Sequence, residues 1–166
     1  MVSVEFLNKE QFPSLAPDIF AILDGNMRPI LPKRLSYEEE YRSWYGAVAE
    51  GIQKPLRQII LVYREDRQLL GFVQYYANTQ TLMLEEVQIL PNYQHTVNFL
   101  PRLARFLMDH LEAAPRFAEA FVHPANGPSA ALQEKLGMVC TGTDGSGEYL
   151  HYRGEYSRFA ARFLGK

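Results

Sequence analysis

The chain of 166 residues has a single cysteine, Cys140, so an internal disulfide is excluded and stability must come from packing. It also has little net charge: 17 Lys and Arg against 19 Asp and Glu leave −2, which removes the global electrostatic case for nucleic acid or an anionic membrane as a partner. There is no apolar run of the roughly 20 residues a bilayer requires, no cationic leader ahead of an apolar stretch, and no lipidation signal. These absences lead to the expectation of a cytoplasmic protein with no membrane partner. His110, His123 and His151 show no metal-ligand spacing with one another or with Cys140, so no metal is expected. No repeat, low-complexity tract or linker interrupts the chain, which reads as one domain over residues 1–166. Aromatic residues, by contrast, are plentiful at 13%, with ten Tyr, ten Phe and one Trp.

The periodicity of the apolar residues orders the elements. Val2, Val4 and Phe6 alternate with polar neighbours as a first strand, and Leu15, Ile19, Ile22 and Leu23 recur at helical spacing up to a stop signal at Gly25-Asn26. Ser36-Tyr37-Glu38-Glu39 fits a capping box, predicting a helix from about Tyr37 to Gln53 with Tyr37, Tyr41, Trp44, Tyr45, Val48 and Ile52 on one face. Three strands follow as a meander, Ile59 to Tyr63, Leu69 to Tyr76 and Leu82 to Leu90, with turns at Glu65-Asp66-Arg67 and Asn78-Thr79-Gln80. A helix is predicted over Phe99 to Leu111, a strand over Ala118 to Val122, and a helix from about Ser129 to Leu136. Two closing strands lie around Met138 to Thr143 and Glu148 to Tyr156, with a glycine-rich hairpin between them. The stretch from Arg153 to Lys166 reads as a terminal helix packing on the body or on a subunit partner, as in a homodimer. A strand-helix-strand step after an antiparallel meander requires a mixed sheet.

Two segments carry a family resemblance. Val87-Gln88-Ile89-Leu90-Pro91-Asn92-Tyr93-Gln94 looks like a fourth strand entering a pyrophosphate loop, and the run Asn126 to Met138 is similar in spacing to an N-x-x-A-x-x-L-Y-x-x-x-G-F segment. Together they resemble the GNAT superfamily of acyl-CoA N-acyltransferases. The resemblance implies an α+β fold, an α/β/α sandwich whose mixed, mostly antiparallel seven-stranded sheet is flanked by about four helices. It also implies transfer of an acetyl group from acetyl-CoA to the amine of a small molecule or peptide, by direct attack in a ternary complex.

Carried onto this sequence residue by residue, the resemblance names a site. Backbone N–H groups near Ile89 or Leu90 would stabilise the developing oxyanion, a contribution worth ~10²–10³ in rate that is independent of side-chain identity. Glu85 and Glu86 are candidates for deprotonating the amine; neighbours on a strand face opposite ways, and Glu86 is preferred because it lies opposite Val87 and Ile89, a choice a bulge would reverse. Gln94, His95, Thr96, Val97, Asn98 and Phe99 stand where the family binds pyrophosphate, at the start of a helix whose dipole favours anions. Asn126 would bond the pantetheine arm, cap its helix, or both. Of the rings, Tyr41, Trp44 and Tyr75 are candidates for the acceptor site, although a helical stripe of rings is more often core.

Some residues depart from the family pattern. Val97 and Phe99 replace the glycines that let backbone donors approach the phosphates. Gln133 replaces the tyrosine that protonates the departing thiolate, and an amide donates a hydrogen bond but not a proton. The second reading is therefore a catalytically weakened or inactive ligand-binding or regulatory module on the same fold.

Overall fold

Residues 59–63 are apolar without interruption, and a strand built from such a run must be covered on both faces. In the computed structural model, which describes residues 2–31, 35–94 and 99–164, Ile59, Ile60, Leu61, Val62 and Tyr63 are all buried. They form the middle of β2 (Arg57–Arg64), one of seven strands with β1 (Val2–Phe6), β3 (Leu69–Ala77), β4 (Thr81–Ile89), β5 (Phe117–Val122), β6 (Val139–Thr143) and β7 (Leu150–Glu155). The strands form one sheet in the order β1-β2-β3-β4-β5-β7-β6. β4 and β5 pair in parallel from Thr81 with Phe117 to Leu84 with Ala120, whereas β1–β2, β5–β7 and β6–β7 are antiparallel. The mixed α+β sheet is as expected. Five α-helices accompany it among the described residues, against about four expected: α1 (Phe12–Met27), α2 (Tyr37–Gly51), α3 (Phe99–Asp109), α4 (Gly127–Lys135) and α5 (Tyr156–Leu164).

The chain forms two compact units, Met1–Gln74 with Glu86–Leu103, and Tyr75–Glu85 with Ala104–Lys166. In the first, α1 and α2 are joined by rings: Phe20 lies 5.4 Å from Tyr41 and 5.2 Å from Trp44, and Phe12 stacks on Tyr45 at 5.3 Å. With Val48 on the same helix and Ile52 at its C-terminal cap both buried, the stripe read from the sequence is the core-facing side of α2. The capping box is present in both directions, since Ser36 Oγ accepts from Glu39 N–H at 3.2 Å and Glu39 Oε2 from Ser36 N–H at 2.9 Å. These bonds hold the Glu39 carboxyl below its usual range. Ser36→Ala should destabilise the chain by about 1 kcal/mol, read as a lower midpoint in urea with an unchanged slope.

Gly25-Asn26 does not end α1, which continues to Met27. Arg28, at its C-terminus, donates to both oxygens of buried Asp24 at 2.9 and 3.0 Å, placing a cation where the helix dipole is negative.

In the second unit, β5 has two unlike faces. Ala118, Ala120 and Val122 are buried, whereas Phe121 is 44% exposed. The terminal stretch is α5, with Phe159, Ala160 and Phe163 buried and the Phe163 carbonyl accepting from Arg105 Nε at 3.0 Å. It begins at Tyr156, so the last strand ends one residue earlier than predicted.

Candidate active site

An uncharged amide buried from water must find partners at both its ends. Gln88, near the end of β4 and 7% exposed, does so: its Nε2 donates to Glu86 Oε1 at 2.6 Å and its Oε1 accepts from Asn26 Nδ2 at 3.0 Å. The same Asn26 nitrogen donates to the Ile89 carbonyl at 2.8 Å. Glu86 and Gln88 are two apart on a strand and share a face, and α1 reaches them because it runs past Gly25. The result is a carboxylate held in place by a buried side-chain relay. Sequence reasoning singled out Glu86 and missed Gln88 and Asn26. A glutamine between the apolar Val87 and Ile89 was the available signal for one, but nothing local links it to a residue 62 positions earlier.

The backbone beyond Gln88 sorts the two oxyanion candidates. Of the pair Ile89 and Leu90, Leu90 donates its N–H to Leu70 O at 2.8 Å, in register with β3. Backbone groups alternate along a strand, so those of Ile89 point away from β3. There the Ile89 carbonyl accepts from Asn26 and from Gln94 Nε2 at 3.0 Å. Gln94, expected in the phosphate loop, thus has its amide on the strand end. Phe99 opens α3 and is 4% exposed. His95, Thr96, Val97 and Asn98 lie outside the described residues.

The three candidate acceptor-site rings lie in different settings. Tyr41 and Trp44 are half-buried and pack against Phe20 in the α1–α2 seam, as their helical spacing suggests for core rings. Tyr75, in the second unit, is 3% exposed, and burial pushes its phenol up to about 12. Because the folded value lies above that of an unfolded tyrosine near ~10, its contribution to stability is complete below that pH and is lost as pH rises through 12. In an absorbance titration near 295 nm, Tyr75→Phe should remove the last tyrosine to ionise, without changing the amplitude below about pH 10.

In the second unit, Asn126 Oδ1 accepts from Ser129 N–H at 3.2 Å and caps α4, the structural half of its expected role. Gln133 on α4 is 4% exposed, and its Oε1 has no hydrogen-bond partner. An orphaned buried carbonyl oxygen is an acceptor for an N–H group, the kind of group a pantetheine amide carries. Glu85 is half-buried on the neighbouring position of β4. No group of His, Cys, Asp and Glu capable of holding a metal is present among the described residues. Among them, no helix is long and apolar enough to cross a membrane.

No protein-family model matches the sequence, and no curated protein matches it. Solved structures do. PaiA N-acetyltransferase from Thermoplasma acidophilum, in complex with coenzyme A, superposes with a TM-score of 0.69 at 16% identity, over 94% of this chain and 99% of that one. The chain has the GNAT fold. A GNAT-family protein from Desulfovibrio desulfuricans gives a TM-score of 0.67 at 16% identity, over 94% and 99% of the two chains. A variant of the spermidine N-acetyltransferase SpeG from Vibrio cholerae gives 0.63 at 14%, over 97% of each. The GNAT order of elements therefore spans nearly the whole chain, and the relay through Gln88 sits on its fourth strand.

Proposed function

We propose that the protein is an acyl-CoA-dependent N-acyltransferase that transfers an acetyl group from acetyl-CoA to the amine of a small molecule or peptide, with residues 1–166 serving as one acyltransferase domain. The observation that carries this reading is the carboxylate of Glu86, held by buried Gln88 and Asn26 on the fourth strand of a GNAT fold. An amine attacks a thioester only when neutral, and a fixed carboxylate is suited to take its proton directly or through one water. Ile89, whose backbone points away from β3, is the residue we assign to the oxyanion. That one structural neighbour holds coenzyme A, and that another is a spermidine N-acetyltransferase, supports the donor and the amine class.

Direct attack needs no covalent enzyme intermediate. The departing thiol, with a pKa near ~8.5, is a fair leaving group, and this makes Gln133 compatible with turnover in place of a proton donor. Isothermal titration with acetyl-CoA should show saturable binding in the micromolar range. No heat at high micromolar ligand would refute the reading. Binding without acetyl transfer to any of a panel of small amines would favour the module without catalysis, for which the amide at Gln133 is the motivating residue.

A further inference from the structure

A second group of reactive side chains lies in the unit formed by residues 75–85 and 104–166, outside the relay of Glu86. Cross-strand partners share a face of the sheet, and one face of β5, β7 and β6 carries Glu119 opposite Arg153, Phe121 opposite His151, and Val139 opposite Arg153. The register between β6 and β7 shifts between Cys140 and Gly142, leaving Thr141 as the extra residue of a bulge. That bulge sets the Thr141 hydroxyl against the imidazole: Oγ1 lies 3.0 Å from His151 Nδ1. On the far side of the ring, Nε2 lies 2.8 Å from Glu119 Oε1. Glu119 Oε2 in turn accepts from Thr81 Oγ1 at 2.6 Å, and Arg153 Nε stands 3.6 Å from Oε1.

Donor and acceptor roles follow from chemistry. A carboxylate only accepts, so the bond to Glu119 requires the proton of the neutral ring to be on Nε2. Nδ1 then presents its lone pair to the Thr141 hydroxyl, whose proton has a second acceptor in the His151 carbonyl oxygen at 3.3 Å. A hydroxyl within reach of a base, with that base oriented by a third group, is the arrangement that activates oxygen nucleophiles. The surroundings suit a small acyl group. Thr141 is exposed, Phe121 stacks on the His151 ring at 4.9 Å and is 44% exposed, and Val139 is 64% exposed. They offer apolar surface next to the hydroxyl without burying it.

We propose that Thr141 is an acyl-accepting nucleophile toward small activated acyl esters and thioesters, with His151 as its general base and Glu119 as the residue that positions the imidazole. The Thr141 Oγ–H proton moves to His151 Nδ1 as the bond from Oγ to the acyl carbon forms. The bond from that carbon to the leaving oxygen or sulfur breaks, and the imidazolium returns the proton to the leaving group or to solvent. The products are O-acyl-Thr141 and an alcohol, phenol or thiol. Glu119 stays ionised throughout. This inference does not rest on the acyltransferase reading, because none of its residues belongs to the relay on β4.

The test is to incubate the full chain with p-nitrophenyl acetate, follow intact mass, and locate the acetyl group by fragment ions that separate Thr141 from its neighbour Cys140. One acetyl on Thr141 is expected, absent in Thr141→Val and retained in Thr141→Ser. In His151→Asn the labelling rate should fall at least tenfold, toward the ~10²–10⁴ that a general base contributes. A smaller fall overturns the proposal, as does acetyl confined to Cys140 or to lysines. Thermal melts of each variant show that loss of labelling is not loss of fold. For Glu119, the ring ¹⁵N shifts of His151 should report an Nε2–H tautomer in the parent chain and lose that preference in Glu119→Leu, which removes the acceptor. An Nδ1–H tautomer in the parent would refute the assigned roles.

Discussion

Gly71→Ala should destabilise the chain by about 3 kcal/mol, with a fall in Tm of roughly 6–12 °C measured by circular dichroism. Gly71 lies on β3 where the end of β4 passes. A Cβ there would sit 2.5 Å from the Gln88 carbonyl oxygen and 3.2 Å from Ile89 Cα. Both obstacles are backbone, so no side chain can rotate aside, and the strands must part. The consequence reaches the candidate site, because those two residues carry the relay and the Ile89 carbonyl that Asn26 and Gln94 hold. Amide hydrogen exchange at Leu90, whose N–H bonds Leu70 O, should accelerate in the same variant. A change in stability under about 0.5 kcal/mol would show that β3 and β4 yield more easily than this close approach implies.

Glu86→Gln should lower kcat/KM for acetyl transfer by about 10²–10³-fold while leaving the affinity for acetyl-CoA unchanged. The substitution is nearly isosteric. Glutamine at 86 still offers a carbonyl oxygen to Gln88 Nε2, so the relay stays assembled while the base is removed. The limb of the pH–rate profile that follows ionisation of the base should disappear with it. Gln88→Leu separates position from chemistry. It keeps the carboxylate but removes the donor that fixes Glu86 and the acceptor of one Asn26 bond. A smaller loss of kcat is expected there, with the pH limb preserved. If Glu86→Gln leaves the kinetics untouched, Glu86 is not the base, and Glu85 takes its place as the candidate.

Much of the architecture was legible because its signals are local. The capping box at Ser36 and Glu39 involves residues three apart, and the stripe from Tyr37 to Ile52 follows from helical spacing alone. The continuous run from Ile59 to Tyr63 announced a strand of the meander. Local signals also misled. Gly25-Asn26 is a stop pattern, yet α1 continues, with Asn26 bonded to Gln88 and the Ile89 carbonyl from its last turn. Spacing alone left Ile89 and Leu90 both open as oxyanion donors, since which way an N–H points depends on the strand it pairs with, and that of Leu90 is bonded to Leu70 O.

What the sequence by itself determined was the order and type of the elements, the absence of a disulfide, and the position of Glu86 on a fourth strand, all set by periodicity and near-neighbour chemistry. The tertiary structure alone decided which polar groups meet. Gln88 finds Asn26 across 62 positions, and His151 lies between Glu119 and Thr141 because a one-residue bulge shifts β6 against β7. Hydrogen bonds act over about 3 Å, and no pattern along a chain records which distant residues come within that reach.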